Sequence, residues 1–312
     1  MYLSQTIHVN LTQENADILK RPSKVFNKIK AIFSGGMTPT EQNQAEVMLS
    51  VLQRLNIALR KSKFDDLVSI AVNENLLYEG SEDASSNLNE SNTVLASNFE
   101  SGGITKVNTL ALTVDAEREN LRYLIHVNIV RKPKADATPV TIQVYGFINE
   151  FKQLPDESAD SFSQRVKALI ESSWGDKKDQ DERLAALEME FQQEVLNLQN
   201  QIDQLFPAKS TLDNSQRKVK REAFKSRYSH HNNRYNECYA YLPFFYLYGL
   251  SDDHDFIVEE QDAWDNDIAF NDNESDKSSS WFGGSGFADS SSDGGSSCGS
   301  SCGSGCGGGC GS

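Results

Sequence analysis

Residues 106–151 read KVNTLALTVDAERENLRYLIHVNIVRKPKADATPVTIQVYGFINEF, and this stretch decides the fold class. Its apolar residues recur with a period of two. Val, Ile, Thr and Tyr fill three runs, 106–115, 121–131 and 140–151. Such side chains pack well on a pleated, half-buried surface. The links are short and polar, and Pro133 and Pro139 punctuate the second one. A residue without an N–H cannot extend a ladder there. Three runs joined so closely predict an antiparallel meander. Residues 2–11, with Leu3, Ile7, Val9 and Leu11, and residues 67–72 add strand-like pieces. The expected sheet has about three to five strands.

Outward from the meander the period becomes helical. Pro22-Ser23 can cap a helix with Val25, Phe26, Ile29, Ile32 and Phe33 on one face, ended by Gly35-Gly36. Thr38-Pro39-Thr40-Glu41 places a hydroxyl at the N-cap, Pro at the first helical position and Glu at the third. That is a capping box. Ala45, Met48, Leu52, Leu55 and Leu59 follow at steps of three and four, so the spacing predicts a helix over 39–61. Past Pro155, Phe162, Val166, Leu169 and Ile170 face one way up to Trp174. A charged break, GDKKDQDE, comes next. Leu184, Phe191, Leu198 and Leu205 then lie seven apart, with Val195 and Ile202 between them and Glu188 in the remaining seam position. About three heptads fit a helical hairpin closed within one chain, the preferred reading, or an intermolecular coiled coil.

The predicted fold class is therefore α+β. An antiparallel sheet carries N-terminal helices and a C-terminal helical hairpin, followed by a disordered tail. Three parts are expected. Residues 1–154 form an α+β domain. Residues 155–250 form the hairpin with a basic helix (215–234) and an aromatic segment (238–250) packed on it. Residues 251–312 form the tail, acidic at first and then rich in Gly, Ser and Cys. Twelve of the chain's 20 glycines fall between 283 and 311, and such composition buries too little apolar surface to offset chain entropy.

Charge follows the same division. The chain has 30 Lys+Arg against 45 Asp+Glu, a net of −15. Residues 251–293 hold 13 acids against Lys277, a net of −12, which leaves −3 for everything else. Residues 217–234 hold seven bases against Glu222. With Tyr228, Tyr235 and Tyr239 nearby, that run has the parts of a polyanion-binding surface. The acidic neighbour would compete with phosphate, which disfavours nucleic acid as a partner. The N-terminal residues lack a signal-peptide pattern. The longest apolar stretch, Cys238–Leu250, is 13 residues, against roughly 20 for a spanning helix. A cytoplasmic protein with no transmembrane segment is expected.

Two ligand sets stand out. Cys298, Cys302, Cys306 and Cys310 repeat at Cys-x3-Cys in a glycine-rich background that can wrap an ion. Four thiolates suit zinc or another thiophilic metal, and the same thiols could carry a covalent modification. His230, His231, Cys238 and His254 form a weaker set, since adjacent histidines on a helix point apart. Asp267 and Asp272 start no calcium loop, because neither register has the required Gly. No phosphate loop, dinucleotide fingerprint, H-E-x-x-H or nucleophile elbow occurs. His8 and His126 sit in strand patterns, where a hydrogen-bonded sheet histidine is commoner than a base.

These features favour a non-enzymatic binding or assembly protein. Its cysteine-bearing flexible tail would bind metal or offer thiols, a protein would be its partner, and 184–205 would be its route to a homo-oligomer. One alternative is an enzyme of unfamiliar type, with a site between sheet and helices gathering His126, Cys238 or the acids of 252–255. Another is a polyanion-binding protein regulated by its own acidic tail, which would fold back over the basic run.

Overall fold

A computed structural model describes residues 2–11, 39–73, 75–80, 86–88, 95, 107–131, 138–152, 154, 157–220 and 257–259. In chain order the elements are β1 (Tyr2–Val9), α1 (Pro39–Lys61), β2 (Asp66–Val72), β3 (Asn75–Glu79), β4 (Ser86–Asn87), β5 (Thr109–Glu117), β6 (Leu121–Val130) and β7 (Val140–Ile148). There follow α2 (Ala159–Ser173), α3 (Lys177–Leu205), β8 (Ser210–Leu212), β9 (Gln216–Lys220) and β10 (Ile257–Glu259). The fold is α+β with an antiparallel sheet.

The meander is present as β5, β6 and β7, neighbours in space as in sequence. Glu117 stands opposite Arg122, and Leu121 opposite Ile148. The strand order is β10-β9-β1-β7-β6-β5-β2-β3, with β8 also on β1 and β4 also on β2. Ten described strands exceed the three to five expected, because the short strands β3, β4, β8, β9 and β10 extend the sheet beyond β1 and β2. β1 pairs with β7 along its whole length, from Tyr2 opposite Phe147 to Val9 opposite Val140.

Alternation sends one set of side chains to the helices. Leu3, Ile7, Leu112, Val114, Tyr123, Ile125, Ile142 and Val144 meet α1 through Met48, Leu52, Leu55 and Leu59 in one core. α3 enters the same core through Leu184, Phe191, Val195, Leu198 and Ile202. The heptad seam thus closes within the chain, against its own sheet and α1. The Phe191 ring stacks on Tyr123 with centroids 6.0 Å apart, and Tyr123 also leans on Phe64. Gly146 of β7 lies beneath Phe191, where a Cβ would come within 2.7 Å of the ring. Buried among these rings, the Tyr123 hydroxyl has its pKa pushed far up by desolvation.

α3 begins inside the predicted charged break. Asp176 accepts from the Lys178 and Asp179 amides, and Asp179 reaches back to the Asp176 amide. This capping box follows Gly175, whose φ of 67° suits a residue without Cβ. The turn is pinned to the end of β7. Trp174 donates from Nε1 to Glu150 at 3.0 Å and stacks on Phe151, and the Arg183 guanidinium lies 4.4 Å over the indole.

One expectation is corrected after α3. The start of the predicted basic helix over 215–234 is strand β9, because the outer edge of β1 offers Tyr2, Leu3 and Ser4 as ladder partners to Lys218, Arg217 and Gln216. β8 and β9 therefore join residues from 155–250 to the sheet of 1–154. The remainder of that basic run, the segment 238–250, the helix predicted from Ser23 and the glycine-rich tail lie outside the described residues. Among the described residues, no helix is long and apolar enough to cross a membrane.

Candidate binding edge of the sheet

The basic edge is built from α3 backwards. Asp203, near the end of α3, accepts from both the Ser210 amide (2.8 Å) and its hydroxyl (2.7 Å), which turns the chain into β8. β8 runs along Ile7–Val9. The Asp213 amide then donates to the Thr6 carbonyl, and Gln5 Nε2 donates to the Asp213 carbonyl. After this step β9 takes up pairing with Tyr2–Ser4.

β9 is fastened to α3 by charge. Arg217 donates to Glu188 Oε2 from Nε at 3.0 Å and from Nη2 at 2.7 Å. Gln192 donates to the Ser215 hydroxyl at 2.7 Å beside it. Glu188 is thus the polar residue in the apolar seam because it holds β9. Nothing in the sequence marks this pair, whose members are 29 residues apart.

β9 reads Gln-Arg-Lys-Val-Lys, three bases and no acid. Its outer neighbour is β10, drawn from the acidic segment 251–293. The register is parallel, with Ile257 opposite Lys218, Val258 opposite Val219 and Glu259 opposite Lys220. Among the described strands, β9–β10 is the parallel pair and every other pair is antiparallel. In sequence β10 is flanked by Asp252, Asp253 and Asp255 before it and Glu260 and Asp262 after it.

Two histidine clusters lie elsewhere in the sheet. His8 Nδ1 is 2.8 Å from Thr138 Oγ1, and its Nε2 is 3.1 Å from Asp213 Oδ2. Hydroxyl, imidazole and carboxylate in a row are the parts of an activated nucleophile. The Asp213 side chain is 63% exposed, however, so water screens it, and the row serves to tie the start of β7 and the end of β8 to β1. His126 is buried on the sheet face turned away from the helices, with Nδ1 3.0 Å from Thr113 Oγ1 and Tyr145 edge-on to its ring. Burial pushes its pKa down to about 4, so it is neutral near pH 7. Along the same face Arg122 donates to Asp115 at 2.8 Å, both largely buried.

Cys298, Cys302, Cys306 and Cys310, and the alternative set His230, His231, Cys238 and His254, lie outside the described residues. Among the described residues, no group of three or more His, Cys, Asp or Glu side chains is placed to hold a metal ion. On α3, Met189 and Leu196 remain exposed, but two separate side chains make no interface of the roughly 1,000 Å² that stable partners bury. No family model, curated protein or solved structure matches the chain.

Proposed function

We propose that this is a non-enzymatic binding and assembly protein whose working surface is the basic outer edge of β9. The edge takes an extended acidic polypeptide by strand addition, and the chain's own acidic segment is its resident occupant. The observation that carries this reading is the parallel pairing of Ile257–Glu259 on Lys218–Lys220. Main-chain hydrogen bonds supply affinity in this mode and side chains supply selectivity. Basic residues on β9 favour acidic partners. The Cys298–Cys310 string, carried beyond β10, is the part that binds zinc or a similar metal or offers thiols.

A tethered occupant competes strongly. A covalently joined strand faces its edge at an effective concentration that reaches the order of millimolar. A free peptide of equal intrinsic affinity must approach that level to displace β10. The test compares the full-length chain with a full-length I257P/V258P variant: successive N–H groups of a strand point opposite ways, so one of the two faces β9, and its loss releases β10. The probe is a fluorescent peptide copying residues 251–270, followed by anisotropy. The variant is expected to bind it at least tenfold more tightly than the parent chain. Equal, weak binding by both would overturn the reading.

A further inference from the structure

We infer that the partner in trans is a second copy of this chain, which exchanges β10 so that Ile257–Glu259 of one copy pairs with Lys218–Lys220 of the other. This rests on the strand-addition reading above. Three observations carry it further. First, the helical route to self-association is taken, since Leu184, Phe191, Val195, Leu198 and Ile202 are buried in the chain's own core. Second, donor and acceptor are both present in every copy, with a defined register and opposite charge at Glu259 and Lys220. Third, 36 residues (221–256) separate Lys220 from Ile257. That is roughly three times the dozen a parallel crossover requires. Its contour, up to ~120 Å, reaches a neighbour's edge as well as its own.

Reciprocal exchange makes the same contacts twice and closes a two-fold dimer without a new interface. Its dissociation constant is therefore set by the tether, on the order of 1 mM. About 2% of chains are exchanged at 10 µM and about half at 1 mM on that figure. Any link between two tails, through thiols or a shared metal, brings two copies into that range.

The experiment uses full-length chains whose five native cysteines are changed to serine. V219C and V258C are made singly and together. These positions face each other in register, and paired strands lie ~4.8 Å apart, within the Cα range a disulfide spans. Under mild oxidation at 10 µM the double variant is expected to close within one chain. An equimolar mixture of the two single variants is expected to form a disulfide-linked heterodimer whose yield rises at least tenfold between 10 µM and 1 mM, above either single variant alone. If the double variant closes but the mixture yields no excess heterodimer, exchange is overturned while the edge reading stands. If the double variant does not close, the β9–β10 pairing fails and both readings fall together.

Discussion

Glu188→Ala tests whether β9 depends on α3 for its place in the sheet. In the native chain Glu188 takes two hydrogen bonds from Arg217, both members of the pair being about a quarter exposed. A fully buried charge-assisted bond contributes about 1.5–3 kcal/mol, whereas an exposed ion pair contributes 1 kcal/mol or less. Quarter exposure places this pair, with both donors on one carboxylate oxygen, between these limits, at about 1–2 kcal/mol. Truncation also leaves the Arg217 guanidinium facing α3 without its carboxylate. β9 holds the sheet through only three residues of β1, so the loss falls on that strand rather than on the whole domain. Native-state hydrogen exchange reads it directly. Amides of residues 216–220 are expected to lose about 5–30-fold of their protection, while those of β5, β6 and β7 stay within twofold. Glu188→Gln keeps an acceptor and should recover part of the effect. The reasoning is refuted if β9 protection is unchanged, or if protection falls equally across the sheet.

Three further outcomes follow from the geometry. Gly146→Ala drives a methyl to 2.7 Å from the Phe191 ring, and overpacking of this kind costs about 1–3 kcal/mol, seen as a lower urea midpoint at unchanged slope. His126 is held neutral, with its pKa lowered to about 4 from the ordinary 6.5, so the unfolded chain binds the extra proton between those values. Stability is then full above about pH 6.5 and falls by up to a few kcal/mol as pH drops to 4. Urea titrations at pH 4.5, 5.5 and 7 should show that slope, and His126→Asn should flatten it. Glu157, held down to about 2 by Arg165, adds a separate loss only as pH falls from 4.5 towards 2. Glu259→Lys sets like charges opposite each other at Lys220 and should weaken β10 by about 0.2–1 kcal/mol, raising peptide uptake by the parent edge up to about fivefold.

The parts of the fold legible in the sequence are those where a long periodic run decides the local structure by itself. β5 to β7 are nine or ten residues each, long enough for their period of two to mark them as strands, although β5 and β6 are buried on both faces. α1, Pro39–Lys61, matches its predicted bounds, and Met48, Leu52, Leu55 and Leu59 of its steady apolar stripe are buried. The heptads of α3 announce a buried face but not what buries it, since a sheet and a second helix accept the same stripe. The first turns of α3 were hidden because Asp176 and Asp179 read as a break when their reciprocal hydrogen bonds are unknown. β9 and β10 were the least legible. Their five and three residues carry too little periodicity, and their state is set by the free edge beside them. Glu188 drew notice only as an exception to the seam. The predicted ligand sets, from His230 to Cys310, lie outside the described residues.

β1 stands between strands that lie far along the chain. Val9 pairs with Val140, and Ile7 to Val9 pair with residues 210–212. At a translation rate of about 5–20 residues per second, its apolar residues wait roughly 7–26 s for β7 to be synthesised and a further ~4–14 s for β8. Until β7 is made, Leu3, Ile7 and Val9 face two open ladders, and one stays open until β8 follows, a form that invites edge-to-edge pairing with other nascent chains. α1, β2, β5 and β6 are complete earlier, so the sheet assembles from its middle and admits its N-terminal strand only with β7. Slowing synthesis lengthens the interval with two open ladders, and chaperones that shield extended apolar segments matter most before residue 140 has left the ribosome.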